Sequence, residues 1–324
     1  MRIPRPLFLL GRRLGHGLTR LVIALVRVLP QGWGYALGAG LAGAGWKLMP
    51  RWQETAQRNV QIFYRDEPLG ADTADARRRR LAIGRAAARC LGWHVIEFIR
   101  MGFLPVEKSL AMVVETEGLE HMRDALAQGR GVIAVGMHYG NWEMPGEYLA
   151  QNFPPTYAVG KEQRDEFFTR IAFPWRARYG IRNIMAGNKA NSAILKALKE
   201  GAILGLLSDQ NGGRTGTFAP FAGTIASTVA GPAVLGLRTG APVLLVYCRR
   251  LAPGRLKIIC RAPVSKEGIE GFDPATGKAT PDAVVEMLRR INAEVEAVVR
   301  EDPTQWLWGH KRWKTRPEGE PWLY

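Results

Sequence analysis

Apolar positions along this chain change their texture near residue 105. Before it they recur at helical spacing. Leu7, Leu10, Leu14 and Leu18 lead into the run Leu21–Val26, with Val28 and Leu29 beyond, while Arg13, Arg20 and Arg27 fall seven apart with His16 between them. On a helix that spacing places the cations along one side and leaves the leucines and valines on the rest. The next stretch, Gly32–Trp46 (GWGYALGAGLAGAGW), is small and uncharged. Thr73–Met101 predicts a helix capped by Asp72 or Thr73, with an apolar stripe through Leu81, Ile83, Ala87, Leu91, Val95 and Phe98. Pro105 marks the boundary.

From residue 111 short β-branched runs alternate with helical ones. The pattern predicts strands at Ala111–Val114, Gly131–Gly136, Tyr157–Val159, Ile181–Ile184, Ala202–Leu207, Val243–Tyr247 and Leu256–Cys260. It predicts helices at Leu119–Ala127, Asp165–Arg178, Asn191–Lys199, Ala230–Arg238 and Val284–Val299. A further helix, after Gly131–Gly136, carries Trp142, Glu143 and Tyr148. Such alternation implies an α/β fold with a central, mostly parallel sheet flanked by helices, preceded by an N-terminal helical region. The expected organisation is 1–50 as membrane-anchoring helices, 51–105 as a helical front and 106–324 as the α/β domain.

Charge sharpens this picture. Lys and Arg total 45 against 29 Asp and Glu, a net charge of +16 that calls for an acidic partner. Residues 1–53 hold eight of those cations and no acid. An arginine-striped amphipathic helix lying in the headgroup plane fits, with anionic membrane lipids as the partner. A spanning helix would hold Arg20 mid-membrane at about 2.5–3.5 kcal/mol, so the depth of the anchor, one leaflet or a full span, is left open. The alternative is a helix docked on the protein's own core, which rarely keeps so one-signed a polar side.

Gly38, Gly40 and Gly43 spell a dinucleotide fingerprint, but neither a preceding strand nor a βαβ unit surrounds them. Close helix packing through Gly34 and Gly38 is the better account, with Trp33, Tyr35 and Trp46 suited to a membrane interface. The run Arg77–Arg80 stands alone without a nucleic-acid-binding module, so no nucleic acid is expected. Cys90, Cys248 and Cys260 form no C-x-x-C pair, and the five histidines show no metal spacing. No metal or cofactor is expected.

Chemistry gathers where a buried strand ends. GVIAVG runs into Met137-His138-Tyr139-Gly140-Asn141-Trp142-Glu143, and the carboxyl ends of strands in an open α/β sheet collect functional groups. His138 and Glu143 can meet only across a turn, which Gly140 and Asn141 permit. A His–carboxylate pair makes a general base. The alternative is a surface histidine at a helix N-terminus. No G-x-S-x-G motif is present, which favours direct deprotonation of a substrate hydroxyl over an acyl-enzyme.

Five segments together resemble the late lipid A acyltransferases: GVIAVGMHYGNWE at 131–143, WRARYG at 175–180, LSDQ at 207–210, PFAG at 220–223 with Thr228, and WLWGHKRWKTRPEG at 306–319. The resemblance covers nearly the whole chain. It implies a glycerolipid-acyltransferase-like fold. It implies transfer of a fatty acyl chain from acyl carrier protein to a hydroxyl of a lipid A precursor of the Kdo-lipid IVA type, at the cytoplasmic face of a Gram-negative inner membrane. Carried over by residue, it implies His138 as the general base and Glu143 as the group that orients it. It implies Arg176, Arg178, Asp209 and Gly223 as substrate-binding positions. Backbone N–H groups at the start of the helix after His138 are expected to hold the oxyanion. The block Lys311, Arg312, Lys314 and Arg316, interleaved with Trp306, Trp308 and Trp313, is expected to serve the acceptor or the membrane, or else to pack as a tail. Competing readings are a related acyltransferase of another glycolipid or phospholipid, and a non-catalytic membrane-surface scaffold.

Overall fold

The computed structural model describes residues 5–153, 155–160, 166–185, 187 and 190–324, with side chains from residue 15 onward except those of 166–169. Arg2 and Asp165 lie outside the described residues, as do the side chains of Arg5, Arg12 and Arg13. Four long helices come first: α1 (Arg5–Val28), α2 (Gln31–Leu48), α3 (Pro50–Phe63) and α4 (Ala74–Met101). The Thr73 side chain caps α4 by accepting from Ala76 N–H at 3.2 Å. A short α5 (Val106–Leu110) leads into the α/β region.

That region alternates as the pattern predicts. Its elements run β1 (Val113–Glu117), α6 (Leu119–Ala127), β2 (Val132–Gly136), α7 (Met144–Asn152), β3 (Thr156–Gly160), α8 (Glu166–Arg178), β4 (Arg182–Met185), α9 (Ala190–Lys199) and β5 (Ile203–Leu207). Then follow β6 (Thr217–Phe221), β7 (Thr224–Thr228), α10 (Gly231–Thr239), β8 (Val243–Ala252), β9 (Arg255–Cys260) and α11 (Pro281–Glu301). The main sheet has seven strands in the order β1-β9-β8-β2-β5-β3-β4. The five from β8 to β4 are mutually parallel; β9 is antiparallel to β8 and carries β1 parallel to itself.

Strand β2 shows why the sheet sits at the centre. Val132 and Ala134 pack into the cluster with Met144, Leu149 and Leu244, while Ile133 and Val135 pack on the other face with Leu237, Met287 and Leu245. Both faces are covered, so the strand has to be apolar without interruption. The hairpin of β6 and β7 is absent from the predicted strands. Pro220 sits inside it, and proline argues against a ladder position except at an edge.

The helical layers depart from the sequence pattern in two ways and follow it in a third. Val95 of the expected α4 stripe is exposed, and the buried face of α4 runs instead through Ala87, Cys90, His94, Glu97 and Met101. Of the three aromatics expected at a membrane interface, only Trp33 is exposed. Tyr35 and Trp46 are buried, Trp46 against Gly84 of α4. The glycine run is a contact surface: a Cβ at Gly38 would lie 2.6 Å from the Gly92 carbonyl oxygen, so the α2 and α4 backbones meet here.

Along α1, Val26 is buried while Leu18, Leu21, Leu25 and Val28 face outward with Arg20 and Arg27. Among the described residues no helix is long and apolar enough to cross a membrane. At the other end of the chain, Trp306, Trp308, Trp313 and Arg312 are buried. Asn59 of α3 ties this tail down by donating to the Trp308 and His310 carbonyls, both at 2.6 Å.

The glycines of α2 and α4 separate by environment. Gly92→Ala places a methyl against the Gly38 backbone and is expected to destabilise the fold by about 1–3 kcal/mol. A Cβ at Gly40 would meet nothing within 4 Å, so Gly40→Ala is expected to stabilise it by about 0.5–1 kcal/mol. Denaturant unfolding of the purified variants measures both.

Candidate active site

Register brings the first two groups together. In the parallel pair β2–β5, Gly136 lies opposite Leu207. His138 and Asp209 each follow two residues later, so they emerge side by side at the carboxyl edge. His138 Nδ1 lies 2.7 Å from Asp209 Oδ1, and the His138 backbone N–H donates to Oδ2 at 2.8 Å. Trp306 Nε1 donates to the same Oδ2 at 2.7 Å. A carboxylate acceptor on Nδ1 places the proton there and leaves Nε2 as the basic nitrogen.

The loop that follows is clamped from two sides. His138 C=O accepts from Leu307 N–H at 3.0 Å, and Gly140 N–H donates to Gln305 C=O at 3.1 Å. Gly140 has φ +56°, and a side chain there would strike the Cys248 carbonyl, so only glycine fits this turn. Asn141 Oδ1 then accepts from the N–H groups of Glu143 at 3.2 Å and Met144 at 3.1 Å, which caps α7. The cap explains why α7 starts at Met144 and leaves Trp142 and Glu143 ahead of it, not on a helix as the pattern predicts. It also uses two of the N–H groups expected to hold an oxyanion. That of Tyr139 is likewise engaged, with Met137 C=O at 2.8 Å.

Glu143 meets Arg176, not the His138 ring. Arg176 Nε donates to Oε2 at 2.8 Å and its terminal nitrogen to Oε1 at 2.6 Å, a bidentate pair. The residue that holds His138 is Asp209, so the expected orienting role of Glu143 falls to a residue 71 positions downstream of His138. Glu143 acts on His138 through its charge. Burial opposes protonation of His138, but the Asp209 carboxylate, its hydrogen bond and the Glu143 charge outweigh it, and the pKa is raised. For Asp209, burial pushes the pKa up; the His138 charge and the bonds from His138 and Trp306 outweigh it, and the net shift is down. One turn into α7, Glu147 is buried and its pKa is raised well above the usual range, through burial first and the Glu143 charge second, which favours the neutral carboxyl.

Arg178 and Gly223 stand elsewhere. The Arg178 guanidinium donates to the carbonyls of Gly102 and Leu104, the latter at 3.0 Å, and so fastens α8 to the end of α4. Gly223 forms the β6–β7 turn with φ +67°, beside Arg65 and Asp66. The sequence pattern does not flag His94, Glu97, Arg250 or His310. His94 and Glu97 do leave one trace, two polar residues three apart (HVIE) in an otherwise apolar helix. The His94 ring stacks on Trp142 with centroids 3.5 Å apart, and Trp142 lies 5.3 Å from the His138 ring. Burial first, then the Arg250 and His138 charges, hold the His94 pKa well below its usual value, so it is neutral. His310 Nε2 accepts from Asn211 N–H at 3.1 Å.

Beside this cluster an apolar cavity opens between α7 and the sheet. Trp142, Glu143 and Arg176 line it together with Leu149, Ile181 and Val246. Gly136, Ala158 and Gly205 also line it, and their lack of bulk leaves the space. The arrangement offers an oriented base beside a slot for an apolar chain.

Comparison with known proteins bears on the chemistry. A family model described as bacterial lipid A biosynthesis acyltransferase matches residues 5–315. The chain is 27% identical over 309 residues to a lipid A biosynthesis lauroyltransferase of Escherichia coli (strain K12), covering 94% of this chain and 92% of the relative. It is 28% identical over 292 residues to a lipid A biosynthesis palmitoleoyltransferase of the same strain, covering 89% and 87%. A phosphatidylinositol mannoside acyltransferase of Mycolicibacterium smegmatis is 27% identical over 229 residues, covering 69% and 71%.

The His138–Asp209 bond sets a pH signature. Because the folded pKa of His138 is raised, its contribution to stability is complete below the unfolded value of about 6.5 and is lost as pH rises through the folded pKa. Asp209→Asn is expected to lower the His138 pKa, seen by NMR titration. The stability gap between wild type and variant is expected to be wider at pH 6 than at pH 9.

Proposed function

The chain belongs to the bacterial lipid A biosynthesis acyltransferase family, and from that premise we propose that it moves a fatty acyl chain from acyl carrier protein to a hydroxyl of a lipid A precursor of the Kdo-lipid IVA type. The observation that carries the mechanism is the 2.7 Å contact of His138 Nδ1 with a buried carboxylate, which leaves Nε2 to act beside the apolar cavity. Nε2 takes the proton of the acceptor hydroxyl as its oxygen attacks the thioester carbonyl. The tetrahedral intermediate collapses, the C–S bond breaks, and the leaving thiolate recovers the proton from the imidazolium. Asp209 fixes the ring and stabilises the imidazolium. The acyl chain occupies the cavity, and Arg176, held by Glu143, supplies positive charge at its wall. This assignment moves the orienting carboxylate from Glu143 to Asp209.

The outer helices serve as the membrane contact in this reading. Leu18, Leu21, Leu25, Val28 and Trp33 are exposed on α1 and α2, with Arg20 and Arg27 on the same outward side. An apolar surface with interleaved arginines suits insertion into one leaflet of an anionic bilayer. The enzyme then works at the cytoplasmic face of the inner membrane. The scaffold reading is set aside, because the family is one of acyltransferases. Acylation of another glycolipid is retained as a second reading, because the Mycolicibacterium relative is named for a mannoside of phosphatidylinositol.

The test is direct. The purified enzyme is incubated with acyl carrier proteins bearing different chains and with the tetra-acylated precursor, and the product mass is measured. One added acyl chain is expected, and His138→Ala is expected to lose at least about 100-fold in rate. A His138→Ala enzyme at the wild-type rate would overturn the mechanism. Transfer to a mannosylated phospholipid alone would select the second reading. Raising salt is expected to weaken binding to anionic vesicles and carrier docking, with far less effect on the chemical step.

A further inference from the structure

The face of α4 toward the sheet carries Cys90, His94, Glu97 and Met101 at helical spacing, where a buried face calls for leucine. These side chains meet the His138–Glu143 loop or the residue that holds it. Asn141 Nδ2 donates to Glu97 Oε2 at 3.0 Å and lies 3.6 Å from Met101 Sδ. Arg250 Nε donates to Glu97 Oε1 at 3.0 Å, and a terminal nitrogen of Arg250 pairs with Oε2. That nitrogen also reaches the Gly140 carbonyl at 3.4 Å, and the other terminal nitrogen lies 2.7 Å from Cys90 Sγ. Glu97 is 0% exposed and Arg250 5%. A buried ion pair carries a desolvation cost that an apolar pair of equal volume avoids, so stability alone does not account for it.

We propose that Glu97, anchored by Arg250, is a positioning residue that fixes the Asn141 amide and with it the turn carrying His138 at one end and Glu143 at the other. The orientation of that amide is the crux. Its oxygen faces the two N–H groups at the head of α7 and its nitrogen faces the Glu97 carboxylate. A flipped amide would set donor against donor on one side and oxygen against carboxylate on the other. The Tyr35 hydroxyl of α2 lies 3.4 Å from Glu97 Oε1, so the outermost helical layer reaches the same carboxylate. The kinetic arm of the test rests on the acyl-transfer reading above; the spectroscopic arm does not.

The test exchanges donor and acceptor across the pair in the full-length enzyme. Glu97→Gln and Asn141→Asp are each expected to lower kcat per folded molecule at least about tenfold, the low side of what misplaced catalytic groups cost, while KM stays within about threefold. In the Glu97→Gln/Asn141→Asp double variant a carboxylate again faces an amide, while Arg250 keeps one oxygen acceptor at position 97 and loses the second. Partial recovery is expected, to a kcat at least about threefold above the lower single variant. Losses that multiply in the double variant, or a single variant at wild-type kcat, overturn the proposal.

Should a single variant not fold, Glu97→Met/Arg250→Met replaces the ion pair by an apolar one. A stably folded protein with kcat down at least about tenfold supports the proposal, and wild-type kcat overturns it. Titration of 13C-labelled His138 by NMR, assigned by His138→Ala, needs no substrate. Its pKa is expected to fall in Glu97→Met/Arg250→Met, which removes one charge of each sign, and an unmoved pKa there overturns the proposal. If the titration behaves so while the wild type transfers no acyl chain, the reaction is wrong and the positioning role stands.

Discussion

A buried carboxylate must be given hydrogen bonds or it will not stay charged. Asp209 is 3% exposed, and the structure around it is arranged to meet that demand. Its two oxygens take the His138 ring, the His138 backbone N–H and the Trp306 indole. These donors arrive from two different parts of the fold. The parallel register of β2 and β5 brings His138, and the tail brings Trp306. The tail is held because Asn59 of α3 binds its carbonyls and because Phe63 packs edge-on against Trp308, with centroids 5.5 Å apart. Helices far from the site in sequence thus help to keep one imidazole tautomer.

The polar interior is divided between two neighbouring ion pairs on either side of the loop. Glu143 and Arg176 join α7 to α8 at the cavity wall. Glu97 and Arg250 join α4 to the sheet beneath Asn141. Each pair has bidentate geometry, which supplies direction as well as charge. Trp175, next to Arg176, packs on Phe98 and Phe103 at 5.1 and 5.5 Å and fills the space left by Gly102. The Arg27 guanidinium of α1 lies 4.9 Å above the Phe103 ring. A chain of packed groups therefore runs from α1 through Phe103 to Trp175, the neighbour of Arg176 at the cavity wall.

The net charge of the chain resolves along the same lines. Arg20 and Arg27 of α1 are exposed, as are Leu18, Leu21 and Leu25. Arg178, Arg250 and Arg312 are structural links, to the carbonyls at the end of α4, to Glu97, and to Ser227 and Thr228 respectively. Composition counts all of them alike. Position separates cations exposed at the surface from cations that hold the fold.

Read alone, the sequence determined what periodicity and local chemistry encode. These are the α/β alternation, the boundaries of α4 and α6 to within a residue, the carboxyl end of β2 as the place where chemistry gathers, and a family resemblance across nearly the whole chain. It singled out His138 and Glu143 from their place after a predicted strand, and Asp209 and Arg176 through the family resemblance. The pairing among them was decided only by tertiary structure. The five-residue spacing of His138 and Glu143 suggests a local dyad, while the bond that forms joins residues 71 apart, through a strand register that no local pattern specifies. The buried polar stripe of α4 was hidden for the same reason. Hydrophobic periodicity locates a face that seeks apolar neighbours, and Glu97 is buried because Arg250, 153 residues away, makes its burial tolerable. Contacts of that separation depend on how layers stack, which is a property of the whole fold and not of any window of the chain.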